Sequence, residues 1–89
     1  MNDSSHHRHL VAQGALLLDV RTPAEFHAGH VPHAVNIPVQ ELPHRLRECG
    51  PTRRSVVVYC RSGARSASAA QLLRQAGYEV RDLGPMTAW

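Results

Sequence analysis

The chain has 89 residues and a mass of 9.8 kDa, room for one domain at the usual size of about 100–150 residues. Hydrophobic residues make up 43%, enough for one compact core and too many for a disordered chain, whereas 4% aromatic content argues against a base-stacking surface for nucleic acid. Ten basic residues, all arginine, against seven acids give a net charge of +3 and a pI near 9.5. That balance favours anionic ligands without forming a basic run, so no nucleic-acid partner is expected.

The opening MNDSSHHRHL lacks the apolar core of a signal peptide. The aliphatic stretches at 15–18 and 56–58 fall far short of the roughly 20 residues of a membrane helix. No membrane partner is expected, and two cysteines without a secretory signal point to free thiols in a reducing cytoplasm. The whole chain, 1–89, reads as one domain with residues 1–8 as a flexible tail. Within this stretch Ser4 and Ser5 offer caps for a helix over 4–13, ended by Gly14.

Residues 15–20 (ALLLDV) form an apolar run expected as a strand buried on both faces. Thr22-Pro23 is a cap followed by proline at the first helical position, predicting a short helix through Ala28, closed by Gly29. A brief strand is expected at 34–37. Val39, Leu42 and Leu46 are at helical spacing, predicting a helix over 39–48. SVVVYC at 55–60 is the strongest strand of the chain. A helix over 63–76 follows, with an apolar stripe of Ala69, Leu72, Leu73 and Ala76 and a stop at Gly77. A last strand is expected at 78–83. The alternation of strand and helix predicts an α/β fold with a mostly parallel central sheet.

The chemistry concentrates where the strongest strand turns into a helix. Cys60 ends the strand, and Arg61-Ser62-Gly63-Ala64-Arg65-Ser66 leads into the helix. Open parallel sheets bind ligands at such carboxyl-edge turns, and a helix N-terminus offers free N–H groups to an anion. Gly63 lets the loop curl. A cysteine there, beside two guanidiniums, is expected to have a lowered pKa and to act as a thiolate nucleophile. The bland alternative is a buried strand-end cysteine that serves as a small hydrophobe. Its two arginines, its glycine and the following helix favour reactivity.

Leu18-Asp19-Val20-Arg21, Glu25-Phe26, Gly29-His30-Val31-Pro32, Asn36-Ile37-Pro38 and Val58-Tyr59-Cys60-Arg61-Ser62-Gly63-Ala64-Arg65-Ser66 together resemble a single-domain rhodanese. The ending Leu83-Gly84-Pro85-Met86-Thr87-Ala88-Trp89 is similar to the segment after that family's last strand. The resemblance covers nearly the whole chain. It implies a sheet of four to five strands flanked by helices on both faces, and sulfur transfer through a cysteine persulfide. By position, Cys60 would carry the persulfide and Arg61 and Arg65 would bind substrate. The amides of residues 61–65, thus of Ser62, Gly63 and Ala64 as well, would cradle the terminal sulfur. Glu25 would orient an arginine of the loop, with a structural ion pair as the alternative. The donor would be thiosulfate or another persulfide, and the acceptor cyanide, a small thiol or a protein thiol; no cofactor is implied.

Three departures accompany the resemblance. The chain begins close to its first helix, so the short opening strand of many relatives is expected to be absent. His33 stands where the family usually has glycine, and Pro85 replaces the second of a glycine pair. The chain also stops at Trp89, where relatives usually continue.

Two other classes share these features. Cysteine phosphatases and arsenate reductases of the same fold use a Cys-x5-Arg loop, whereas the spacing here is Cys-x4-Arg. The shorter loop suits one sulfur atom better than a tetrahedral oxyanion. A non-enzymatic sulfur-relay or interaction module is the other, and Cys60 is compatible with relay. Elsewhere, Asp19 and Arg21 read as an ion pair, and His6, His7 and His9 as a solvated tail rather than a metal site. His30 reads as a residue that holds backbone in place. Cys49 reads as a plain thiol, with resolution of a Cys60 persulfide as the alternative.

Overall fold

The computed structural model describes residues 4–89. Its element order is helix α1 (Ser4–Ala12), strand β1 (Leu16–Asp19), helix α2 (Pro23–Ala28), strand β2 (Val35–Asn36), strand β3 (Ser55–Cys60), helix α3 (Ala64–Gln75) and strand β4 (Glu79–Pro85). The four strands form one sheet in the order β2-β1-β3-β4, every pair parallel. Among the described residues no strand precedes α1, so the sheet has the smaller of the two expected strand numbers.

Strand alternation sorts the core into two layers. Leu16, Leu18, Val20, Val56, Val58 and Cys60 face Ala69, Ala70 and Leu73 of α3, with Ile37 and Leu42 beside them. Leu17, Val57 and Tyr59 point the other way, toward Leu10 and Val11 of α1 and the C-terminal Met86, Ala88 and Trp89. The predicted stripe of α3 is thus core-facing: Ala69 and Leu73 are fully buried, while Leu72 and Ala76 pack at its margin.

One expectation is corrected. Residues 39–48 do not form a helix; two short 3₁₀ turns, Leu42–His44 and Leu46–Cys49, stand there instead. Pro43 has no N–H for a helical ladder, and its ring clashes with the carbonyl four residues back. The apolar spacing still reports burial, for Leu42 is fully buried and Val39 and Leu46 pack against the same layer. At the other end of the chain, residues 1–3 of the expected tail lie outside the described residues, and 4–8 are helical. Arg8 of α1 donates to the carbonyl of Trp89 and lies over its ring at 5.4 Å, which ties the helix to the C-terminus.

Helix α2 matches its sequence signals. Thr22 caps it, the Glu25 carboxylate accepts from the Thr22 N–H at 2.9 Å, and the Glu25 N–H donates to the Thr22 hydroxyl at 3.2 Å. The other feature that shapes the site is a bulge in β4. Val58 pairs with Asp82 and Tyr59 with Gly84, which leaves Leu83 as the extra residue. Gly84 adopts φ +82°, its N–H held by the Asp82 carboxylate at 2.9 Å. Such a bulge bends its strand, and here Met86 and Thr87 follow it to the carboxyl edge of the sheet.

Candidate active site

Cys60 is the last residue of β3, a central strand, and the loop after it enters α3 within three residues. Gly63 takes φ +105° as the N-terminal cap of α3, a conformation that suits a residue without Cβ. The turn aims its N–H at the sulfur, with Gly63 N to Cys60 Sγ at 2.9 Å. Cys60 is fully buried beneath the loop, whereas Arg61, Ser62 and Ala64 are exposed. Ser66, in the first turn of α3, is also fully buried, and its hydroxyl lies 3.1 Å from the Gly63 carbonyl.

Two influences compete at the thiol. Burial pushes its pKa up; the Ser66 hydroxyl and the N–H groups of Ser66, Gly63 and Ser62 favour the thiolate and outweigh burial. The result lies below the ordinary cysteine value, as expected. The sequence points to the free N–H groups of the helix N-terminus and to two guanidiniums; the N–H groups act, joined by the Ser66 hydroxyl. The Arg65 guanidinium is clamped by Glu25, Nη1 to Oε1 at 2.7 Å and Nη2 to Oε2 at 3.0 Å. In the sequence Ser66 is marked only by being a small hydroxyl one turn past the glycine, on the face that α3 turns to the sheet.

The Glu25–Arg65 pair joins α2 to α3 across the loop. The pair is a bidentate contact between Glu25 and an arginine of the loop. The Arg65 hydrogen bonds, together with that of Thr22, hold the Glu25 carboxyl down at about 2. Beneath them, Asp19 and Arg21 make the expected ion pair at 2.7 Å, both buried. Arg21 also donates to the Gly29 carbonyl at 2.7 Å, and its guanidinium lies over the Tyr59 ring. The Tyr59 hydroxyl accepts from the Val31 N–H at 3.2 Å. This buried network fixes the carboxyl ends of β1 and β3, from which the loop springs.

The remaining candidates lie apart from the sulfur or serve the backbone. His30 stacks on Phe26 with centroids 3.6 Å apart, its Nδ1 2.8 Å from the Phe26 carbonyl, and so holds the turn after α2. His6, His7 and His9 lie on α1, and the described residues include no group of three or more side chains suited to a metal. Cys49 is fully buried, and both cysteines are unbonded. The Arg54 guanidinium donates to the Cys49 carbonyl, and the Tyr78 hydroxyl bonds the Gly50 carbonyl at 2.5 Å. These contacts set Cys49 at the amino end of β3 and β4. A six-residue strand spans roughly 17 Å at about 3.3 Å per residue, so resolution of a Cys60 persulfide by Cys49 has no geometric basis. Burial pushes the Cys49 thiol up, with the Glu48 carboxylate adding to it.

The family model described as Rhodanese-like domain matches residues 4–89. A sulfurtransferase of Allochromatium vinosum is 47% identical over 79 residues, 86% of this chain and 73% of its own length. The thiosulfate sulfurtransferase PspE of Escherichia coli is 37% identical over 62 residues, 68% of this chain and 60% of its own. Other relatives, at 44% and 46% identity, are longer, and the chain spans 30% and 49% of them. Among solved structures, a rhodanese with anions from E. coli superposes with a TM-score of 0.79 at 32% identity, covering 85% of this chain and 92% of the other. Among the described residues no helix is long and apolar enough to cross a membrane.

Proposed function

The chain belongs to the rhodanese-like domain family of sulfurtransferases, and from that premise we propose that Cys60 takes sulfane sulfur from an anionic donor such as thiosulfate and passes it to cyanide or a thiol. The Cys60 thiolate attacks the outer sulfur of thiosulfate. A new S–S bond forms to Sγ, the old one breaks, and sulfite leaves with the electron pair. The acceptor then attacks the outer sulfur of the persulfide, the Sγ–S bond breaks, and the thiolate returns. No cofactor enters either step.

The observation that carries this reading is the Gly63 N–H 2.9 Å from Sγ at the head of a 12-residue helix. That cradle stabilises negative charge on sulfur before and after transfer. In this reading the amides of residues 61–65 hold the terminal sulfur. Arg61 meets the donor anion, and Arg65, positioned by Glu25, supplies fixed positive potential behind the loop. Two unbonded cysteines fit a reducing, cytoplasmic setting. Thiosulfate:cyanide turnover is the test: activity is lost in Cys60→Ser and kept in Cys49→Ser, and equal loss in both variants overturns the assignment.

A further inference from the structure

Strand β4 is an edge of the sheet: among the described residues it pairs with β3, and no strand pairs with its other side. Strand alternation sets which backbone groups that side presents. The Glu79 N–H donates to the Arg54 carbonyl at 3.2 Å, so Glu79 and Arg81 turn their backbone groups toward β3. Val80 and Asp82 turn theirs outward. The Val80 carbonyl accepts from the Arg74 guanidinium at 3.2 Å, in agreement with this parity, and a carbonyl oxygen has a second lone pair for a donor in the plane of the sheet. A groove of about 410 Å³ lies along the same edge, lined by Leu10 of α1, Arg74 of α3, and Glu79, Val80 and Arg81. Outward-facing backbone groups beside such a groove form a template for a further strand.

We propose that a second copy of the chain occupies this edge, β4 against β4, antiparallel about a two-fold axis at Val80. The charge pattern selects both occupant and register. Charges on an edge strand ordinarily repel a further strand; here their order makes them complementary in one arrangement. In a two-fold antiparallel pair the residue on the axis meets itself, and its neighbours cross over. An axis at Glu79 or Asp82 sets two carboxylates opposite each other, and an axis at Arg81 sets two guanidiniums. An axis at Val80 instead sets Glu79 of each copy opposite Arg81 of the other. Both side chains are exposed and make no ion pair among the described residues. Val80 meets Val80 as a pair that exchanges two N–H···O bonds, and each Asp82 N–H donates to the Tyr78 carbonyl of the other copy. The bulge at Leu83 ends the regular stretch there. The two sheets become one. Because the strands run antiparallel, the two Cys60 loops point to opposite ends and both stay open, so the pairing is independent of the chemistry at Cys60.

Sedimentation velocity of the whole chain over a concentration series tests the pairing. One strand pair makes a small interface, so the expected result is a monomer–dimer equilibrium half complete at about 100 μM. Glu79→Arg and Arg81→Glu each weaken it about tenfold or more, since either substitution makes both cross-strand pairs repulsive. Mixing the two variants in equal amounts restores association, because every pair across the mixed interface is then opposite in charge. Both positions are exposed, and circular dichroism checks that the variants fold. Amide hydrogen exchange of the unmodified chain reads the edge independently of any variant: the Val80 and Asp82 amides gain protection as concentration rises, whereas those of Glu79 and Arg81 are protected throughout. A chain that stays monomeric up to about 1 mM overturns the proposal. So does a dimer indifferent to both reversals, a mixture no tighter than either variant alone, or exchange at Val80 that does not change with concentration.

Discussion

Removing the charge of Glu25 while keeping its shape gives a pH-dependent stability loss whose size follows from the Arg65 clamp. In Glu25→Gln the side chain still accepts from the Thr22 N–H, so the cap of α2 keeps its shape, while the ion pair with Arg65 and the charge on the Thr22 hydrogen bond are lost. The carboxyl falls from 4.5 to about 2 in the folded protein, and each tenfold in proton affinity is worth about 1.4 kcal/mol. The full value of about 3 kcal/mol is reduced by solvent, since the Glu25 and Arg65 side chains are 25% and 33% exposed. About 1–2 kcal/mol at pH 7 is the expected difference. A depressed pKa stabilises the fold above the unfolded value of 4.5, and this contribution disappears as pH falls toward 2. About two-fifths of it remains at pH 3, and little more than a tenth at pH 2. Urea titrations of both proteins at pH 7, 3 and 2 read this directly. Equal differences at all three values would refute the ion pair as the cause, and no difference at pH 7 would refute the clamp.

Three further outcomes follow from the site. Ser66→Ala raises the pH midpoint of Cys60 alkylation by iodoacetamide, because burial then faces fewer opposing hydrogen bonds; an unmoved midpoint assigns the lowering to the amides alone. His33→Gly stabilises the protein by about 0.5–1 kcal/mol in thermal or urea unfolding, since His33 sits at φ +73°, where a side chain costs about 1–2 kcal/mol and glycine's extra entropy recovers only part of that difference. The protein hydrolyses an aryl phosphate no faster than its Cys60→Ala control, because the Cys-x4-Arg loop encloses less than an oxyanion requires; turnover above that control contradicts the loop-length argument.

Much of this was legible in the chain because local signals and tertiary demands agree. SVVVYC predicts a buried strand, and β3 occupies Ser55–Cys60. Thr22-Pro23 predicts the start of α2, and in the structure Glu25 completes a capping box with Thr22. The 39–48 segment departs from the expected helix because leucine spacing reports burial, which both a helix and a pair of 3₁₀ turns satisfy. Pro43 was the deciding residue. At the loop, the positions of Cys60 and Gly63 and the helix N–H groups were readable, but the contribution of the Ser66 hydroxyl to the lowered thiol pKa was not. Arg65 is held by Glu25, 40 residues away in sequence, a partner that the family resemblance suggests but that only the packing of α2 against the loop brings into contact. The local sequence does not mark Met86 and Thr87 as lining residues of the groove beside the loop, because they follow the irregular β4 register near Leu83.

The most direct test of the central claim is the intact mass of the purified protein after thiosulfate treatment, followed by peptide mapping without reductant. The account predicts one added sulfur atom, on the peptide that contains Cys60, in both the wild type and Cys49→Ser, and none in Cys60→Ser. No added sulfur in the wild type, or sulfur found on Cys49, would contradict it.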